Sequence, residues 1–344
     1  MKCLRTRIKI KTKASAGQAS LRRRSKQLFL ILILTAPLLA QQEPTFQTQS
    51  NVVLVPALVR DQSGEIVYGL QAKDFAIEDN GVEQAIRLDE AAEAEPLSLM
   101  IAIQTGRKAE HEFPKIRGLK DMLDPILAQQ GSQIAIVTFD SQIQLAQDFT
   151  GDASKVDSAL EHLRPGDDGA VILNTVNYCV GLLNKQPEAR HRVLLLISEK
   201  RDYGSKAAIL DHVITLIGAS NTTIYSLIFS PSFESAKRRL RGKDEGPAVD
   251  VMSLLDLARA AMKKNTSKAI ADQTGGEFEL FDSRSSFESR IIDFTNHLHS
   301  RYLLSFQPSD PQPGLHRITV RLKQPADNSV LARSTYWARG PGTE

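Results

Sequence analysis

Apolar and polar positions follow three regimes along the chain. From residue 50 to about 92, NVVLVPALVRD reads as a strand, and AIEDNGVEQAIRL places Asn80-Gly81 between two short alternating runs. Alternation with period two marks half-buried strands. A tight primed turn needs positive φ at both central residues, which Asn-Gly supplies, so residues 50–92 predict a small N-terminal β unit with a hairpin. Between residues 97 and 298 the pattern changes. Apolar runs LSLMIAI, SQIAIVTFD, VLLLIS, TTIYSLIFS and GGEFELF alternate with stretches of helical spacing, and QIQLAQDF adds a short extra strand. One stripe, over 110–129, carries Phe113, Ile116, Leu119, Met122, Leu123 and Ile126; further helices are predicted over 152–163 with Asp152 as cap, 171–184, around 206–218, 250–273 and from Ser285. Buried strands alternating with amphipathic helices predict an α/β fold, with a mostly parallel sheet covered by helices on both faces.

The tail, residues 300–340, returns to period two in RYLLSFQP, HRITVRL and SVLARSTYWA. It predicts a C-terminal β segment, with packing against the N-terminal unit left open. EAAEAEP (90–96) reads as a charged linker and residues 231–249 as a charged, breaker-rich loop.

Charge alters this picture at the start of the chain. The 344 residues include 43 Lys/Arg and 40 Asp/Glu, but ten of the basic residues fall in the first forty, which hold no acid. LFLILILTAPLLA (28–40) follows, too short for the ~20 residues that span a bilayer. Basic residues, a short apolar run and a small residue before QQEP predict a signal peptide over 1–40 and a flexible lead over 41–49. The competing reading is an N-terminal membrane anchor. Signal removal leaves 33 basic against 40 acidic residues, a net of −7. The remaining chain therefore lacks the basic character of a nucleic-acid binder. The expected location is secreted, periplasmic or cell envelope, with no membrane span after cleavage. Cys3 leaves with the signal, so Cys179, set among apolar residues, is expected as a small buried hydrophobe.

Catalytic motifs are missing. The chain has no G-x-S-x-G, H-E-x-x-H, Walker A or C-x-x-C. His297 and His299 are two apart, a spacing that does not bring side chains together on a helix, so surface histidines are expected rather than a metal site. Gly275-Gly276 is expected to stop a helix. SAKRRLRGK (235–243) reads as a solvated loop rather than an anion-binding patch. No enzyme is expected.

The order of motifs resembles the bacterial, largely acidobacterial-type, von Willebrand factor A-related family. VVLVPALVRDQSGEIVYGLQAKDFAIEDNG is similar to that family's leader; DFTGDASKVDSALEHLRPG and ADQTGGEFEL are similar to its middle, and RYLLSFQPSDPQPGLHRITVRL to its end. The resemblance covers about residues 50–340. It implies a Rossmann-like von Willebrand A domain over 97–298, flanked by small N- and C-terminal β elements. It also implies three loops at the carboxyl edge of the sheet, which in typical members hold a metal ion through D-x-S-x-S, a threonine and an aspartate. Mg²⁺ takes oxygen ligands in octahedral geometry.

In LMIAIQTGRK, Gln104 stands where the resemblance puts the first aspartate, and Gly106 and Lys108 where it puts the serines. Ala170 replaces the threonine and Glu199 the second aspartate. Lys108 offers donors and no acceptor. The site thus reads as degenerate, with Lys108 expected to replace the metal and pair with Glu199. A rearranged site using Asp167, Asp168, Glu199 and Asp202 is the alternative. The function expected is an exported, metal-independent protein-interaction module with no cofactor. Its partner would be a protein, met through Gln104, Thr105, Lys108, Asp167, Asp168, Glu199 and Asp202. The competing function is a divalent-cation-dependent adhesion module with substituted ligands and bound Mg²⁺.

Overall fold

The computed structural model describes residues 52–89, 95–107, 109–116, 118–187, 189–229, 252–309, 312–324 and 327–339. The expected signal and lead, most of the linker, the basic loop at 235–243 and Lys108 lie outside these residues.

The first described strands are β1 (Val53–Arg60), β2 (Phe75–Asp79), β3 (Val82–Gln84) and β4 (Ile86–Asp89). Asn80 and Gly81 join β2 to β3 with φ of 49° and 87°, the two positive angles that a primed turn demands.

Six strands build the central sheet: β5 (Leu97–Gln104), β6 (Gln133–Phe139), β7 (Ile143–Thr150), β8 (His191–Ser198), β9 (Thr222–Phe229) and β10 (Phe278–Phe281). Their order is β10-β9-β8-β5-β6-β7, and only β7 runs antiparallel to its neighbour. β5 and β8 are central, which is why their side chains are apolar on both faces. Leu99, Ile101 and Ile103 point into one core with helices Leu119–Ala128 and Arg284–His299. Met100 and Ala102 point into the other, with helices Ile172–Leu183, Ile209–Ala219 and Thr266–Thr274. Each fully buried leucine or isoleucine in these layers stabilises the fold by about 2 kcal/mol. Cys179 is buried in the second layer, as its neighbours in sequence suggested, and burial raises its thiol pKa.

Two expected helices are broken. The stripe over 110–129 splits at Gly118, whose φ of 90° stops one helix (Phe113–Ile116) and starts the next. The stretch 250–273 splits into Leu254–Lys264 and Thr266–Thr274 because Asn265 leaves helical angles and caps the second helix through its side chain. Gly275 ends that helix in the left-handed conformation, as expected.

The tail forms β11 (Tyr302–Phe306), β12 (Gly314–Leu322), β13 (Ser329–Ala332) and β14 (Thr335–Ala338). Here the separate β elements at the two ends of the sequence become one body. β1 lies between β11 and β13, with Val55 opposite Leu304; β12 lies between β2 and β14, with Ile77 opposite Val320. The two antiparallel sheets enclose a common core of Val55, Ala57, Phe75, Ile77, Leu304, Phe306 and Tyr336. Neither strand set could bury both faces alone, and a lone hairpin is marginal in water.

A part-buried charge network ties this sandwich to the α/β unit. Arg60 of β1 is paired with Glu277, which also meets His297 Nδ1 at 2.8 Å. His297, expected on the surface, is thus nearly enclosed, because its helix packs that face toward β10. Burial, reinforced by the Arg60 charge, lowers the His297 pKa to about 4.

Candidate functional site

Four segments converge at the carboxyl end of β5 and β8: the turn after β5, the β6–β7 turn, residues 165–171 and residues 199–205. Gln104 ends β5 only 1% exposed. Its Oε1 accepts the Glu199 N–H at 2.9 Å, and its Nε2 donates to the Gly106 carbonyl at 3.2 Å. The amide is therefore a clip between two loops. Thr105 is also buried; its N–H and hydroxyl both donate to the Phe139 carbonyl. Neither residue presents the interaction face expected of it, since both turn inward to satisfy backbone groups that burial would otherwise leave unpaired.

Glycine governs how closely the loops approach. A Cβ on Gly106 would overlap the Gly169 carbonyl oxygen and sit 2.8 Å from Asp140 Cβ and from the Asp167 carbonyl oxygen. Gly169 is similarly pressed on the Ser141 backbone. The loop space that a serine would need is filled by main chain. Asp140 accepts from Gln142 N–H at 2.7 Å and Asp167 N–H at 3.2 Å. Asp167 accepts from the Ser141 hydroxyl and from the Ser141 and Gly169 N–H groups, which together hold its pKa below the usual carboxylate range.

Asp202 is committed as well. Its carboxylate accepts from Leu173 N–H at 2.9 Å, capping helix Ile172–Leu183, and from the Ser205 hydroxyl and N–H. Ala170 is fully buried and forms a two-way backbone bridge with Tyr203. Asp168 is exposed.

Among the described residues, the cation that meets Glu199 is Arg107. Its Nε donates to Glu199 Oε2 at 2.9 Å, and its guanidinium carbon lies 3.9 Å from the centre of the Tyr203 ring. Arg107 has φ of 61°, and its N–H donates to the Asp167 carbonyl at 2.6 Å. That left-handed turn swings the side chain across the sheet edge toward β8. Lys108, expected as the partner of Glu199, lies outside the described residues. Arg107, Tyr203 and Asp140 are the site residues that sequence reasoning missed. The cation next to Lys108 was visible in the sequence, but the turn that aims it was not.

A divalent cation does not fit this arrangement. The Gln104 oxygen is spent on a backbone N–H, and Gly106 and Ala170 carry no side-chain oxygen. Glu199 already holds a guanidinium. Among the described residues, no group of three or more His, Cys, Asp or Glu could hold a metal ion.

The von Willebrand factor type A domain profile matches residues 105–201. No curated protein matches the chain. Among solved structures, the chain is similar to a von Willebrand factor type A protein from Catenulispora acidiphila, with 8% identity, TM-score 0.45, and 84% of this chain and 75% of that chain covered. It is similar to the conserved hypothetical protein BatB from Bacteroides thetaiotaomicron, with 13% identity, TM-score 0.40 and coverages of 59% and 98%. It is also similar to a point mutant of the minor pilin PilB from Streptococcus sanguinis, with 9% identity, TM-score 0.41 and coverages of 60% and 62%. The α/β unit has the Rossmann-like von Willebrand A fold, flanked by strands from both chain ends.

Proposed function

We propose that this chain is an exported, non-enzymatic protein-interaction module of the von Willebrand A class that works without a divalent cation. Its partner is a protein, met on the strand-end face where Arg107, Tyr203, Glu199 and Asp168 border solvent. The observation that carries this reading is the Arg107–Glu199 pair. A guanidinium occupies the carboxylate that a metal would need, and the Gln104, Asp167 and Asp202 side-chain oxygens accept hydrogen bonds within the loops. The described helices include none long and apolar enough to cross a membrane.

Calorimetric titration with MgCl₂ and MnCl₂ tests the metal question: no binding heat is expected. Micromolar binding abolished by Glu199→Ala would establish the cation-dependent module instead. Capture from envelope extract should give the same partner with and without chelator, and should weaken in Tyr203→Ala. A partner lost on adding chelator would refute the metal-free reading. Hydrolase turnover by purified protein would refute the non-enzymatic one.

A further inference from the structure

At the opposite end of the central sheet, a cavity of about 500 Å³ opens between the α/β unit and the sandwich. Its α/β wall comes from the first residues of β5, β8 and β9, the amino edge of the parallel strands. That volume lies within the range of small-molecule sites, which is roughly 300–1,000 Å³. Native interiors rarely leave a void much larger than a water molecule.

The two walls differ in chemistry. One is apolar: Leu54 and Pro56 of β1, Leu303 of β11, Leu97 and Leu298. On β1 the odd-numbered residues from Val53 to Val59 fill the sandwich core, which turns Leu54 and Pro56 toward this cavity. The other wall is cationic. Arg190, Arg192, Arg301 and Arg333 line it, with His191 and His299 beside them.

These arginines are held mainly by neutral groups. Arg190 donates to the Gly131 carbonyl at 2.7 Å and Arg192 to the Gln186 carbonyl at 2.6 Å. Arg333 is spent on the carbonyls of Ile217, Gly218, Ser220 and Thr335. Arg301 meets Tyr225 and the Gly275 carbonyl, with Glu277 at 3.7 Å. Among the described residues, Arg190, Arg192 and Arg333 form no ion pair. Carbonyls position a guanidinium without cancelling its charge. Among the described residues, two acids line the cavity, Asp89 and Glu95, against four guanidiniums. Burial of Glu95, with Asp89 nearby, raises its pKa and weakens even that compensation.

From this juxtaposition we infer that the cavity binds an amphipathic anion: an apolar body against Leu54, Pro56 and Leu303, with a carboxylate or phosphate head toward Arg190, Arg192 and His191. The apolar wall excludes a fully hydrated ion such as sulfate, and the cationic wall disfavours a neutral or cationic lipid. This inference does not depend on the strand-end face.

The test uses the full chain and the fluorescent amphipathic anion 8-anilinonaphthalene-1-sulfonate. Its fluorescence should rise at a single saturable site on the folded protein and be displaced by dodecanoate. Dodecanol and dodecyltrimethylammonium should fail to displace it. Dodecyl phosphate, run in parallel, identifies which head group the site prefers. Arg190→Gln should bind about tenfold more weakly, as loss of one charged hydrogen bond implies. Leu54→Trp should fill the cavity and abolish binding, with melting curves confirming that both variants fold. A crystal structure with dodecanoate bound covers the case in which a variant does not fold: density elsewhere would overturn the inference. Equal displacement by dodecanol, or wild-type binding in both folded variants, or no fluorescence rise in the wild type, would also overturn it.

Discussion

Arg107 reaches across the sheet edge to Glu199, donating from Nε to Oε2 at 2.9 Å while its guanidinium lies over Tyr203. The pair joins the loop after β5 to the loop after β8, although the two residues stand 92 positions apart in the sequence. About a third of the Arg107 side chain is exposed. Its contribution to global stability should therefore be small despite its good geometry, because solvent screens the pair. A double-mutant cycle on Arg107→Ala and Glu199→Ala should give a coupling of about 0.5–1 kcal/mol, shrinking as salt is raised. A coupling of several kcal/mol would show that the pair is a structural anchor, not an adjustable surface contact.

Placing a serine at position 106 should harm the fold without creating a metal site. The new Cβ would run into the Gly169 carbonyl and the Asp140 side chain. Overpacking of this kind costs about 1–3 kcal/mol, and here the obstacle is backbone. Denaturant melts of Gly106→Ser should show a lower midpoint, and calorimetry should still show no Mg²⁺ heat. Wild-type stability in this variant would mean that the loops are looser than the geometry implies.

Glu277 should matter far more than Glu199. It is 8% exposed and faces Arg60, His297 and Arg301. Removing its charge leaves the buried Arg301 and the part-buried Arg60 without their carboxylate, at a cost of up to about 3 kcal/mol. Glu277→Gln should lower the melting midpoint strongly. A shift no larger than that of Arg107→Ala would contradict the network's role in joining sandwich to α/β unit.

Stability should also fall on mild acidification. Burial, with the charges of Arg301 and His299 nearby, lowers the pKa of His191 from 6.5 to about 4 in the folded chain. The unfolded chain therefore binds the proton first. The stabilisation is fully present above pH 6.5 and is lost as pH falls from there toward 4. Denaturant midpoints at pH 7.5, 6 and 5 should drop progressively, and His191→Gln should reduce that slope between pH 7.5 and 5, leaving the share that His297 contributes. An unchanged slope in the variant would place the titration elsewhere.

Local pattern determined much of this protein. The short apolar runs of β5, β8 and β9, alternating with helical stretches, mark strands buried on both faces, and Asn80-Gly81 between two alternating runs marks a tight reversal. The absence of a carboxylate at 104 and of hydroxyls at 106 and 170 is a property of the residues themselves and needs no tertiary structure to be read. Periodicity failed at Gly118 and Asn265, where one residue's backbone angle divides a continuous apolar stripe into two helices.

What tertiary structure alone decided depends on residues far apart in the chain. β1 finds β11 and β13, and Arg60 finds Glu277, because closing the ends of the chain into one sandwich buries faces that neither end can cover alone. At the strand-end site, a single left-handed turn at Arg107 sets its guanidinium beside Glu199, and glycine contacts between loops turn Gln104 and Thr105 inward. Periodicity records which face of an element is apolar. It carries no information about which distant element will cover that face, or about where a loop aims a charge.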